Sequence, residues 1–376
     1  MKFKKLFVSG LSIALATHAA LASELAPLDK AVTLAQILNQ QGQKETLLVL
    51  GDTGHQIEAI NLSQMLNVFP EDPLAIVEKI GYERIALKSS VAETQAYQYQ
   101  TLLPAGGGAR EQVAAGTNYE EHGEEASIDE VFLFPKYAQA TPAITTLSYN
   151  GEQLLDYEVE LCLRWSQDIA SVAEAKAAVA GVFVCGDMTD RAALLRNLNL
   201  DDIASGHGFS DAKSGDDRFP TGPYIVVPRD WESFVNEITL STWVNGELRQ
   251  NAQASEMIMP PTALIEWILK DGTNPLWRYE GQPVPLLEHT YIQAGQSVIT
   301  GTPEGVVFNA PGMGYQVRKG LKWLFTFSFL DSGPLNYVIE EYIEENVGGD
   351  RYLKPGDKVQ LAATYLGKIN IDVIKK

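Results

Sequence analysis

The sequence predicts a mainly β fold with α+β elements, and three observations carry that expectation. Short apolar or alternating runs are many, while stretches with helical periodicity are few and brief. The strand-like runs do not alternate regularly with helices, which excludes a series of βαβ units. Two acids, Glu158 and Glu160, stand two apart in an apolar, β-branched context. That is the spacing of one strand face, so both carboxylates project from the same side of a sheet.

The first 22 residues stand apart. Lys2, Lys4 and Lys5 form a basic start, Leu6 to Leu15 an apolar stretch, and Ala20-Leu21-Ala22 a small-residue cleavage site. This pattern predicts a secretory signal peptide at 1–22, cut before Ser23, and a periplasmic or otherwise secreted mature protein. No Cys follows the cleavage site to carry a lipid anchor, and no later run is apolar enough to span a bilayer. The formal charge is −19, which argues against nucleic acid or an anionic membrane as partner. Two cysteines, Cys162 and Cys185, are too few for a disulfide scaffold, so the core must be hydrophobic.

From 23 to 105 the chain reads as a small N-terminal α+β domain. Ala31 to Gln40 looks helical, Thr46 to Leu50 is a strand, and Gly51-Asp-Thr-Gly54 is a turn. Gly106 to Arg110 reads as a flexible joint. A short apolar run then turns at Gly116 into a polar, helical segment carrying His122 and Glu125. Three apart on one helical turn, these two face the same way, and a carboxylate beside an imidazole can orient it as a general base. Isolated pairs of this kind are mostly surface contacts.

The two-Glu strand lies within Gly151 to Trp165. Asp168 to Ala180 is Ala-rich and predicts a helix closed by Gly181. A second apolar run ends in a third carboxylate, Asp187. Three hard oxygen ligands suit Mg²⁺, Mn²⁺ or Ca²⁺; equally, the strand could be exposed with two solvated acids, and spacing alone does not separate these readings. Asp211 to Pro223 is a Gly- and Pro-punctuated loop carrying Lys213. Phe234 to Leu248 alternates and contains an Asn245-Gly246 hairpin turn. Met257 to Leu269 predicts a helix beginning near Pro260-Pro261. Ser297 to Val306 runs from a strand into a tight loop, and Lys354-Pro-Gly-Asp357 is a turn before the closing strands. Between Pro311 and Leu353, Trp323, Phe325, Phe327 and Phe329 alternate on one strand face, and Pro334 to Asn346 reads as an acidic amphipathic helix.

Taken in order, Gly116-Thr-Asn-Tyr-Glu-Glu-His122, Asp156-Tyr-Glu-Val-Glu-Leu161, Gly186-Asp187 with Arg191, Lys213-Ser214 leading to Gly222-Pro223, Val244-Asn-Gly-Glu247, Thr300-Gly-Thr-Pro303 and Lys354-Pro-Gly-Asp357 resemble the fumarylacetoacetate hydrolase family. The resemblance implies a mixed β-roll around a central metal site, usually in a homodimer. The catalytic domain would span 106–376, with an insertion at about 311–353 that compact members lack. It implies Glu158, Glu160 and Asp187 as ligands of a divalent cation, with Mg²⁺ foremost and Mn²⁺ or Ca²⁺ as alternatives. His122 with Glu125 matches the water-activating pair and Lys213 the active-site lysine. Arg191, Thr302 and Tyr119 fall at substrate-binding positions. The implied activity is hydrolysis of a carbon–carbon bond in a 1,3-diketo acid such as an acylpyruvate. The rivals are decarboxylation or tautomerisation of a related keto acid in the same site, and an exported protein that binds metal and keto acid without turnover. Two departures bear on the choice. Leu194 replaces a glutamine that reaches toward substrate in many members, and an export signal is unusual for keto-acid catabolism. If the ligands converge from adjacent strands, Cys162 and Cys185 could face one another at bridging distance; otherwise they are two buried free thiols.

Overall fold

The computed structural model describes residues 23–90, 92–126, 128, 130–199, 202, 205–307, 319, 322 and 333–376. The leader at 1–22 and the aromatic run Trp323, Phe325, Phe327 and Phe329 lie outside the described residues. Among the described residues no helix is long and apolar enough to cross a membrane.

The chain begins with an antiparallel meander of β1 (Ala31–Leu38), β2 (Lys44–Asp52) and β3 (Gln56–Asn61). Asn61 caps α1 (Leu62–Leu66) by accepting the Gln64 N–H at 3.0 Å. Helices α2 (Leu74–Ile80) and α3 (Tyr82–Ala86) follow, then β4 (Gln95–Gln98). The expected helix at Ala31 to Gln40 is therefore a strand. Its Ala, Leu and Gln residues favour helix, but pairing on both sides, with β2 and with a later strand, overrides that weak preference.

Next come β5 (Glu111–Gly116), α4 (Glu120–Ala126), β6 (Phe132–Tyr137), β7 (Ile144–Tyr149), β8 (Leu155–Asp156) and β9 (Val159–Trp165). After them lie α5 (Val172–Ala177), β10 (Ala180–Gly186), β11 (Thr189–Asp190), α6 (Arg191–Asn197) and α7 (Phe209–Lys213). The Ala-rich helix is shorter than expected, and Gly181 does not close it. Gly181 lies inside β10, where a Cβ would stand 2.3 Å from Ile225 Cδ1, so close strand packing explains this glycine. Lys213 is the last residue of α7, not part of a loop.

The chain continues through β12 (Ile225–Pro228), α8 (Trp231–Val235), β13 (Thr239–Val244) and β14 (Glu247–Gln253). Asn245 and Gly246, with φ of 53° and 84°, make the expected turn between the last two. Helix α9 (Pro261–Asp271) carries its proline at the first turn, where no N–H is missed. Strands β15 (Trp277–Tyr279), β16 (Gln282–Val284) and β17 (Val298–Ile299) precede α10 (Pro334–Asn346), and β18 (Lys358–Ala363) and β19 (Gly367–Lys375) close the chain.

Two sheets dominate. The larger has ten strands in the order β4-β3-β2-β1-β12-β10-β9-β17-β5-β6, and the smaller has five, β14-β13-β18-β19-β7. The meander at 31–61 joins the central strands through β1 and β12, so one sheet runs across the sequence division at 106. Gly106 in the expected joint is packed: a Cβ there would lie 2.8 Å from Ala140 and 3.0 Å from Thr221. The smaller sheet lies against β9 and β10, which leaves those two strands buried on both faces. Among the described residues no closed barrel forms; the fold is mixed sheets with helices.

Candidate metal and active site

Strands β9 and β10 are antiparallel, with Glu160 opposite Cys185 and Val159 opposite Gly186. The start of one strand therefore lies beside the end of the other. Glu158 just precedes β9, Asp187 just follows β10, and the Asp187 N–H donates to the Glu158 carbonyl at 2.9 Å. Glu158 and Glu160 share a face because they stand two apart. The three carboxylates converge: one oxygen from each lies within 4.8 Å of the others, and all three side chains are buried.

Cations surround this cluster. Lys213 Nζ donates to Glu158 Oε2 at 2.6 Å, Asp187 Oδ2 at 2.8 Å and Thr189 Oγ1 at 2.9 Å. Arg191 binds Glu158 Oε1 at 2.7 Å and Asp156 Oδ2 at 2.9 Å. Lys136, fully buried on β6, reaches Asp187 Oδ1 at 2.6 Å and the Lys213 carbonyl. Burial pushes the Glu158 carboxyl up, but Lys213, Arg191 and His122 outweigh it and hold it at about 2. Glu160 goes the other way: burial, then repulsion from Asp187 and Glu158, drives its carboxyl well above the usual range. Its Oε2 accepts the Gly301 N–H at 2.5 Å, while its Oε1 is buried with no hydrogen-bond partner among the described residues. Burial lowers Lys136 against the pull of Asp187; for Lys213 the attraction of Asp187 and Glu158 exceeds the burial cost and raises it.

This donor set fits a divalent cation. A buried carboxylate oxygen without a partner, gathered with two more carboxylates, is what a hard ion satisfies. Asp156, Glu158, Glu160 and Asp187 face Lys136, Lys213 and Arg191, so a bound divalent ion would turn the buried shell net positive, suited to an anionic ligand.

His122 lies on α4, buried, with Nδ1 3.5 Å from Glu125 Oε2. That is ion-pair distance, longer than a good hydrogen bond. His122 is among the groups whose charge acts on the Glu158 carboxyl. Tyr119 is buried and its hydroxyl has no hydrogen-bond partner among the described residues; burial and then the charge of Glu160 raise its phenol, which stays protonated. Arg191 and Thr302, expected to touch substrate, are committed to protein groups here. Thr302 Oγ1 donates to the Val159 carbonyl at 3.0 Å and accepts from Gln250 Nε2 at 2.9 Å. Leu194 is buried in the core on α6.

Four participants escaped sequence reasoning: Lys136, Asp156 as the partner of Arg191, Thr189, and Gln250, which bridges β14 to β9 through Thr302 and the Val159 N–H. For Lys136 a signal existed, an ammonium inside the apolar strand Phe-Leu-Phe-Pro-Lys-Tyr. Cys162 and Cys185 are joined in a disulfide across β9 and β10.

Fold and site together define a class: β-rich proteins with a buried carboxylate triad able to hold a divalent metal, and a histidine–carboxylate pair on a short helix. The chain belongs to the fumarylacetoacetate hydrolase family, since the family model for the fumarylacetoacetate (FAA) hydrolase C-terminal region matches residues 111–374. A 4-hydroxyphenylacetate degradation bifunctional isomerase/decarboxylase of Salmonella dublin is 29% identical over 206 residues, 53% of this chain and 42% of that relative. The chain thus spans under half of that relative's length. An uncharacterized protein of Pyrococcus horikoshii is 28% identical over 201 residues, 52% of this chain and 76% of its own. Among solved structures, a fumarylacetoacetate hydrolase from psychrophilic Exiguobacterium antarcticum superposes with a TM-score of 0.56 at 18% identity, covering 92% of this chain and 100% of that one. A 2-hydroxyhepta-2,4-diene-1,7-dioate isomerase from Mycobacterium marinum gives 0.54 at 17%, covering 92% and 99%. These two likenesses establish the shared fold. Family members are enzymes, among them hydrolases, isomerases and decarboxylases.

Proposed function

We propose that this chain is an exported, metal-dependent hydrolase that cleaves a carbon–carbon bond in a 1,3-diketo acid of the acylpyruvate or fumarylacetoacetate type, working as a homodimer in the periplasm. The observation that carries the reading is the buried His122 paired with Glu125 on α4, in a chain that also gathers Glu158, Glu160 and Asp187 into one cluster. A binding protein needs no such pair; a hydrolase needs a base next to its electrophile.

A divalent ion, Mg²⁺ foremost, held by the triad supplies Lewis-acid polarisation of the substrate carbonyl when bound. The chain's own groups do the rest. His122 takes a proton from the water that attacks the acyl carbonyl carbon, and Glu125 fixes the imidazole and balances its charge. The bond between the acyl carbon and the neighbouring carbon then breaks, and its electron pair leaves with the keto-acid fragment. Lys213 offsets that developing negative charge, and a proton returns to the fragment from His122. Tyr119, with a free hydroxyl, is the better substrate-binding candidate; Arg191 and Thr302 would contribute by fixing Glu158 and β9.

One second reading has specific support, decarboxylation or isomerisation of a related keto acid, favoured by the name of the Salmonella relative. The test is an assay of purified mature protein with Mg²⁺ or Mn²⁺ against acylpyruvates and oxaloacetate. Acid and pyruvate produced in equal amounts from an acylpyruvate support hydrolysis. Turnover of oxaloacetate alone supports the second reading.

A further inference from the structure

The histidine–carboxylate pair and the carboxylate triad sit on different elements, and one side chain adjacent to a ligand links them. Tyr157 stands between Asp156 and Glu158 and is buried. Its hydroxyl donates to the Gly305 carbonyl at 3.0 Å. The Gly305 N–H in turn donates to both oxygens of Glu125, at 3.0 and 3.1 Å. Glu125 Oε2 is the atom 3.5 Å from His122 Nδ1.

Gly305 is fitted to this place. Its φ is +95°, and a Cβ there would lie 2.1 Å from the Arg249 carbonyl oxygen, so backbone conformation and space both demand glycine. An N–H that binds a carboxylate is among the stronger hydrogen bonds, and here it fixes the carboxylate that faces the histidine.

We infer that Tyr157 is a positioning residue for the His122–Glu125 pair, acting through Gly305. The loop at 302–307 is pinned from the metal-ligand side by the Tyr157 hydroxyl, and it pins Glu125 on the other side. The orientation of the base is thereby registered against Glu158, the next residue after Tyr157. The inference rests on the proposed role of His122 as base, and it assigns a task to a residue outside the proposed ligand set and the proposed base pair.

Tyr157→Phe removes one hydroxyl and keeps the ring packed. Metal affinity, measured by calorimetry with Mn²⁺, should stay within about twofold, because the triad is untouched. With the substrate found by the assay above, kcat should fall roughly tenfold with KM within about twofold, as expected for a misplaced base. In a Glu125→Gln background the same change should add no further loss, since both act on one unit. Independently of any activity, hydrogen exchange at the Gly305 amide should be at least tenfold faster in folded Tyr157→Phe protein than in the parent. Losses that multiply in the double variant, or a Gly305 amide equally protected in both proteins, overturn the inference. A protected parent amide that is released in the variant, without turnover on any keto acid, upholds the tether and faults the hydrolase reading instead.

Discussion

Lys136 Nζ stands 2.6 Å from Asp187 Oδ1, although the residues lie 51 positions apart and both side chains are wholly buried. The same ammonium binds the Lys213 carbonyl, so it ties β6 and the end of α7 to a proposed metal ligand. Without an ion, such a cation compensates charge in the carboxylate cluster; with an ion bound, it competes electrostatically.

Lys136→Met should therefore have two opposed effects. Leaving Asp187 without this partner should destabilise the metal-free protein by about 3–5 kcal/mol, the usual cost of breaking a buried pair. Removing a nearby positive charge should tighten Mn²⁺ binding by at least about tenfold, because like charges in a buried site repel more strongly than in water. Thermal melts with and without Mn²⁺ read both: the variant should melt lower than the parent and gain more from the metal. Equal melting temperatures without metal would show that Lys136 does not compensate the cluster.

The disulfide yields a second expectation. Cys162 and Cys185 sit on adjacent strands, each two residues from a triad member, with a sequence separation of 23. Both sulfurs are tied up in the bond, so the unreduced protein should show no reactive thiol even when unfolded in urea. The double change Cys162→Ala with Cys185→Ala should lower stability by roughly 3 kcal/mol through the freed unfolded chain. Urea unfolding of parent and variant measures it, and two titratable thiols in unreduced parent would refute the bond.

Much of the site was legible because its residues announce themselves locally. Glu158 and Glu160 at strand spacing, Asp187 at a strand end, and His122 with Glu125 on one helical turn each carry their geometry within a few positions. Lys136 and Asp156 do not, because their meaning lies in partners 51 and 35 residues away. The fold divides the same way. The Asn245-Gly246 turn and the proline-started α9 are set by local backbone rules and came out as expected. Ala31–Leu38 is made a strand by β2 and β12, which no local window contains, and Gly181 is explained by Ile225 across the sheet, not by a helix end.

Glu45 offers a pH test away from the site. Its buried carboxylate accepts amide hydrogens from Asn39 at 3.1 Å, Asn61 at 2.6 Å and Gln64 at 3.1 and 3.2 Å. Burial pushes this carboxyl up, but the bonds from Asn61, Gln64 and Asn39 prevail and hold it below its ordinary 4.5. A carboxyl lower in the folded state contributes stability that is present above its unfolded value and lost as pH falls through the folded one. Parent stability should therefore decline as pH drops below about 4.5, and Glu45→Gln should decline less steeply over that interval. Stability measured by urea unfolding at a series of pH values decides it; parallel curves would remove Glu45 from the acid response.

The last expectation separates metal binding from chemistry. Changing Glu158, Glu160 or Asp187 to Ala removes one of three charged oxygens, and calorimetry with Mg²⁺ or Mn²⁺ should then detect no tight binding. For Glu158 and Asp187 the change also strands Lys213, which binds both, so those variants should melt lower than Glu160→Ala. Glu160 has an oxygen with no partner, and its carboxyl already resists ionisation without metal, so losing it costs the metal-free fold least. His122→Ala should keep metal and fold while slowing turnover by about 10² or more, the worth of a positioned general base. Lys213→Ala should retain the metal and lose turnover to a similar order, because it offsets charge that develops during the reaction. If His122→Ala turned over keto acids as fast as the parent, no water would need activating, and the decarboxylase reading would replace the hydrolase. If Glu160→Ala still bound metal as tightly as the parent, the triad would not be the metal site, whatever the activity.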